Sequence, residues 1–229
     1  MTVTVTAPSS VPDRAVLAGR SALVTGAGPA GTVTARALAS AGASVVLAGA
    51  DDLALLRTAR AIEAHGGRAV PLPADVREPE ALRRVVASAK ESFGSLDLAI
   101  NTIGAVDGVR SDVHAGCRAV YLAMSFELPA LLAAGGGAIV NAAANPLGPH
   151  TEESHCIVGL SRAAAMDHLD RGVRVNAIVS GDSATDFAAV AVWLCSDRAA
   201  RVTGAAIPAG VRSAPAAQPT QPGRTRPYS

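Results

Sequence analysis

A chain of 229 residues suits one domain better than two, and 49% hydrophobic against 17% charged residues supplies a sizeable core. A net charge of +1 leaves no electrostatic footprint for nucleic acid or an anionic membrane. No apolar stretch reads as long and uninterrupted enough for a bilayer span, and the first residues lack the basic-then-apolar layout of a leader. Three scattered cysteines, Cys117, Cys156 and Cys195, are too few for a disulfide framework or a paired metal site, so a reduced, cytoplasmic setting is expected.

Residues 1–16 and 213–229 are rich in Ala, Pro, Thr, Ser and Gln and read as flexible tails around one unit, 17–212. Within it the spacing predicts strands alternating with helices. A short apolar strand at 22–25 runs into a glycine cluster, then an Ala-rich helix at 33–41 closes at Gly42. A β-branched strand follows at 44–48. Asp51 and Asp52 stand where N-caps belong, before a helix marked by Leu53, Leu56 and Ile62 and ended by Gly66-Gly67. A third strand covers 69–72. Pro79 opens a helix whose Leu82, Val85, Val86, Ala89 and Phe93 share one face. The remaining elements are a strand at 96–100, a long helix at 112–133, a strand at 138–141, a helix at 155–170, a strand at 173–178, a helix at 185–195 and a strand at 205–207. Alternation of this kind implies parallel pairing through right-handed crossovers, and uniformly apolar strands imply helices on both faces. The expected fold is a single doubly wound, Rossmann-like α/β domain.

Gly26, Gly28 and Gly31 satisfy GxGxxG between the first strand and the first helix. Such glycines let a backbone approach a pyrophosphate at a helix N-terminus, and they would equally serve close strand–helix packing alone. Further landmarks follow in order: GRSALVTG at 19–26, ADV at 74–76, LDLAINTIG at 96–104, GGAIVN at 136–141, GVRVNA at 172–177, LCSD at 194–197 and VTG at 202–204. With these motifs, residues 17–212 resemble the short-chain dehydrogenase/reductase family. The resemblance implies that Asp75 contacts an adenine ring and that Asn101 steadies the central strand beside the cofactor.

The departures from the family pattern carry the functional reading. The family's TGxxxGxG is one residue short here, and Pro29 removes a backbone donor from the turn. Ala50 stands where an arginine for a 2′-phosphate would align, and Asp51 suits a helix cap as well as a ribose contact, so NAD and NADP are not distinguished. The family's asparagine, serine, tyrosine and lysine fall at Gly116, Ala144, His150 and Ser154. The chain has one lysine, Lys90, and two tyrosines, Tyr121 and Tyr228, so it holds no Tyr-Lys pair one helical turn apart. The family's substrate lid would follow the sixth strand, where only residues 179–184 lead into the next helix.

The reading is therefore of a non-catalytic subunit that keeps fold and assembly surfaces. Helices 112–133 and 155–170, rich in small and apolar residues, are expected to pair with an active paralogue in a heterotetramer. The pattern resembles the degenerate subunits of heteromeric short-chain reductases, such as those of aminocoumarin antibiotic biosynthesis. That resemblance implies NADP bound mainly by the active partner. It also implies oxidation of the β-hydroxyl of a carrier-tethered β-hydroxytyrosyl group. Two alternatives stay open. One is a divergent reductase, cyclase or isomerase that uses His150, near Glu152, Glu153 and His155, or relies on the substrate's own phenol. The other is a dinucleotide-sensing protein. The region around His150 also reads as a polar loop with Thr151 or Ser154 as a helix cap, and His155 beside Cys156 lacks a second pair for a metal. Cys117 and Cys195 read as small core residues, and Trp193 and Phe187 as core or interface.

Overall fold

The computed structural model describes residues 16–102, 115–143, 151–181 and 183–210. The helices of this fold begin where the local chemistry stops extended chain. Strand β1 (Ser21–Thr25) gives way at the glycines to α1 (Pro29–Ser40), with Pro29 in its first turn. Strand β2 (Ser44–Gly49) leads to α2 (Asp52–Glu63), whose N-cap Asp51 accepts a hydrogen bond from the Ala54 N–H at 2.9 Å. Strand β3 (Arg68–Pro73) precedes α3 (Pro79–Phe93), which ends on left-handed Gly94. Then come β4 (Leu98–Asn101), α4 (Ala115–Ala133), β5 (Gly137–Ala143), α5 (Thr151–Asp167), β6 (Val173–Ser180), α6 (Ala184–Cys195) and β7 (Ala206–Ala209).

All seven strands pair in parallel in the order β3-β2-β1-β4-β5-β6-β7. One hydrophobic cluster joins the sheet to α1, α2 and α6 through Leu38, Leu55, Phe187 and Leu194. A second joins its other face to α3, α4 and α5 through Leu82, Val120, Leu131 and Ile157. This is the expected doubly wound sheet, its strands apolar because both faces are covered. The β3 edge carries Pro71 and Pro73, which cannot donate to a further strand and so blunt that edge.

Several boundaries differ from the pattern-based expectation, each for a physical reason. Helix α1 starts four residues earlier, at Pro29, because proline is suited to the first turn. Residues 96 and 97 lie outside β4, and Asp97 turns its carboxylate back to accept from the Ser21 N–H at 2.8 Å. Helix α5 begins at Thr151, four residues before the expected start, so Glu152, Glu153 and Ser154 lie on helix rather than in a loop. Glu152 and Glu153 fall in its first turn, where the helix dipole favours acids. Helix α5 ends at Asp167, and a single 3-10 turn (Leu169–Arg171) follows. Strand β7 starts one residue later and ends two residues later than expected, at Ala206–Ala209.

Helix α4 corrects the expectation about membrane spans. Its 19 residues, with a mean hydropathy of 1.2, are long and apolar enough to cross a bilayer, yet half of that window is buried inside the domain. The apolarity of α4 is that of a core helix packed on the sheet, α3 and α5.

Candidate functional site

The carboxyl ends of β1, β4 and β5, where a doubly wound sheet binds its ligand, converge on the glycine turn and on a buried polar network. In the turn, Gly26 has φ +112°, and a Cβ there would collide with the Thr102 hydroxyl. A Cβ on Gly31 would collide with the Gly26 carbonyl oxygen, and one on Gly49 would lie 2.8 Å from the Ala27 nitrogen. Gly26 and Gly31 are therefore required by close packing. Gly28 is the N-cap of α1 and provides no side-chain capping bond. The first-turn N–H groups of Ala30 and Gly31 thus have no capping side chain, which is what an anion at a helix N-terminus needs.

The neighbouring candidates have other commitments. Asp51 caps α2 through Oδ1. Ala50 is exposed, with no arginine in its place. Asp75 forms two bonds with Arg77, Nε to Oδ1 and Nη2 to Oδ2, both 2.9 Å. That guanidinium holds the Asp75 carboxyl below the usual carboxylate range, against a smaller opposing effect of burial. The glycine turn and the uncapped start of α1 thus fit the pyrophosphate of a dinucleotide.

Asn101 is fully buried at the end of β4. Its Oδ1 accepts from the Thr25 hydroxyl at 2.7 Å, while its Nδ2 donates to Glu127 Oε2 at 2.9 Å and to Asn141 Oδ1 at 3.0 Å. Asn141 Nδ2 donates in turn to the Ser161 hydroxyl at 2.9 Å, and Ser161 donates to the Ile157 carbonyl at 2.7 Å. One chain of bonds thus ties β1, β4, β5, α4 and α5 together beneath the expected ligand position. Glu127 is fully buried, and its Oε1 has no hydrogen-bond partner. Burial pushes its carboxyl up to about 7, only partly offset by the Asn101 bond. Sequence reasoning missed this residue; the signal was a single acid at an inward position of an otherwise apolar helical run.

Of the four positions expected to align with the family's catalytic residues, Ala144 and His150 lie outside the described residues. Gly116 is buried in the first turn of α4, and Ser154 is 1% exposed on α5. Tyr121 is 57% exposed on α4 and Lys90 lies on α3, so the two stand on separate helices.

A larger correction concerns the cysteines. Cys117 on α4 and Cys156 on α5 form a disulfide, with Cα atoms 6.0 Å apart. Spacing alone did not reveal it, because the pair is 39 residues apart and meets only when α4 packs on α5. Cys195 is the core residue expected, and burial pushes its thiol up to about 12 despite the nearby Arg174.

The sheet order, the glycine turn at the end of β1 and the buried asparagine at the end of β4 define a protein of the Rossmann-like dinucleotide fold. The family model for short chain dehydrogenase matches residues 20–192, and the chain belongs to that family. It is 36% identical over 179 residues to a cyclohexanol dehydrogenase of Acinetobacter, covering 70% of this chain and 71% of that protein. It is 30% identical over 242 positions to an A-factor type gamma-butyrolactone 1'-reductase of Streptomyces virginiae. That alignment takes in 84% of this chain and 94% of the reductase, so roughly fifty positions have no counterpart here. Among solved structures, a citronellol catabolism dehydrogenase of Pseudomonas aeruginosa superposes with a TM-score of 0.78 at 27% identity, covering 88% and 97% of the two chains.

Proposed function

We propose that this chain is a non-catalytic subunit of a short-chain dehydrogenase assembly, paired with an active paralogue that interconverts a secondary alcohol and a ketone. The observation that carries the reading is the state of the catalytic helices. The positions of the family's asparagine and lysine are a buried glycine, Gly116, and a buried serine, Ser154. A glycine has no side chain to relay a proton, and a serine carries no positive charge to lower the pKa of a tyrosine.

The short connection after β6 agrees with this. Three residues separate β6 from α6, and Ser183 already caps the helix by accepting from the Asp186 N–H at 3.2 Å. Three residues are too few to build a lid, which accounts for part of the residues the chain lacks beside its relatives. What the chain keeps is the outward face of α4 and α5. Tyr121 and Met166 are 57% and 64% exposed there, with the small residues Ser125, Gly159 and Ala163 beside them. Exposed large apolar groups among small residues suit burial against helices of a partner.

The active paralogue binds most of the NADP, and the bare N-terminus of α1 gives this chain a place for a pyrophosphate. Ring alcohols recur in the names of its relatives, and the β-hydroxyl of a carrier-tethered β-hydroxytyrosyl group is a secondary carbinol of the same reactivity. We assign that tethered group as the substrate of the assembly. Co-expression with a paralogue that holds the family's tyrosine and, four residues later, its lysine (YxxxK) tests the reading. The expected result is a stable complex more active than the paralogue alone; failure to co-purify would overturn it.

A further inference from the structure

We propose that Cys117 and Cys156 are a thiol–disulfide exchange site that clamps the start of α5 to the start of α4, and that reduction releases this clamp. The placement is specific. Cys117 follows Gly116 by one residue, and Cys156 follows Ser154 by two. A covalent bond therefore joins the two helices beside the positions where the family's asparagine and lysine align. Beyond it, α5 is already anchored by buried Ile157 and by the Ser161–Asn141 bond. Within the first turns Glu153 and Ser154 are buried as well, and the cystine adds a covalent tie at Cys156 to that packing.

The two sulfurs are unequally placed. Cys117 is 8% exposed, whereas Cys156 is an exposed residue of α5. A small-molecule thiolate arriving from solvent meets the Cys156 sulfur. Its attack forms a new S–S bond there and breaks the bond to Cys117, which leaves as a thiolate and takes up a proton. A second thiol then attacks the mixed disulfide, freeing Cys156 as a thiol and leaving the two reductant molecules joined as their own disulfide. Two electrons pass from two thiols to one cystine, and the reverse reaction with an oxidised low-molecular-weight disulfide restores the clamp. Cys195 takes no part: it packs on the opposite face of the sheet, buried, with a thiol that does not ionise near neutral pH. The exchange is a property of the unpaired chain. Its consequence for pairing rests on the proposed function, because α4 and α5 carry the docking face.

The full chain, equilibrated in excess oxidised glutathione and then denatured without reductant, is expected to show one reactive thiol, rising to three after reduction. Cys195→Ser is expected to show none before reduction. Amide exchange at 151–156 is expected to be at least tenfold faster in the reduced chain, and Cys156→Ser to match it in either buffer. Reduced wild-type chain supplies the comparison if that variant does not fold. Three thiols in the oxidised sample would overturn the exchange site, and equal amide exchange in both states would overturn the clamp. If thiol counts and exchange rates come out as expected while no paralogue co-purifies, only the pairing reading fails.

Discussion

Replacing Glu127 with glutamine removes a buried ionisation while keeping an acceptor for Asn101. In the folded chain the carboxyl is fully buried, one oxygen has no partner, and its pKa is about 7 against an ordinary 4.5. A carboxyl raised on folding holds its proton longer in the native state than in the unfolded chain. Its contribution is therefore fully present below about pH 4.5 and is lost as the pH rises to about 7. At about 1.4 kcal/mol per unit, wild type loses about 2–3 kcal/mol relative to Glu127→Gln between pH 5 and pH 8. For a domain of this size that corresponds to roughly 5–10 °C in Tm. Comparing the two proteins cancels the titration of every other group. Thermal or urea unfolding at both pH values is the assay. The Tm difference between the proteins is expected to swing in favour of the variant at the higher pH. A difference independent of pH would refute the buried, proton-holding carboxyl.

Other substitutions probe separate parts of the account. Gly31→Ala forces a Cβ into the Gly26 carbonyl and should cost about 1–3 kcal/mol in urea unfolding, with any dinucleotide binding at the turn lost as well. Asp51→Ala should cost about 1 kcal/mol through the lost cap of α2, with dinucleotide affinity unchanged by titration calorimetry if capping is its only role. Cys156→Ser opens a 39-residue loop and should lower stability under oxidising conditions by up to about 4 kcal/mol, an effect absent when wild type and variant are both reduced.

The sheet was legible because both its faces are covered, which leaves short apolar runs between glycine and proline signals. Helix starts were less legible. Patterning located α5 from its apolar residues, while Thr151 to Ser154 are polar and join the helix through its N-terminal preference for acids. That shift matters for the site, since it puts Ser154 inside a helix and buried rather than in a capping loop. The glycine turn could be read, but not the division of labour within it: Gly26 and Gly31 answer to packing and Gly28 to the open helix end. Glu127 and the cystine were hidden for the same reason. Each depends on which helix face meets which neighbour, a property of tertiary packing that neither residue spacing nor resemblance encodes.

The central claim is that this chain supports catalysis without performing it. The direct measurement is turnover of a secondary alcohol with NADP by the purified chain, by its YxxxK paralogue, and by the two co-expressed. No turnover is expected from the chain alone, and the complex is expected to be faster than the paralogue alone. Turnover by the chain alone, abolished by His150→Ala, would contradict it.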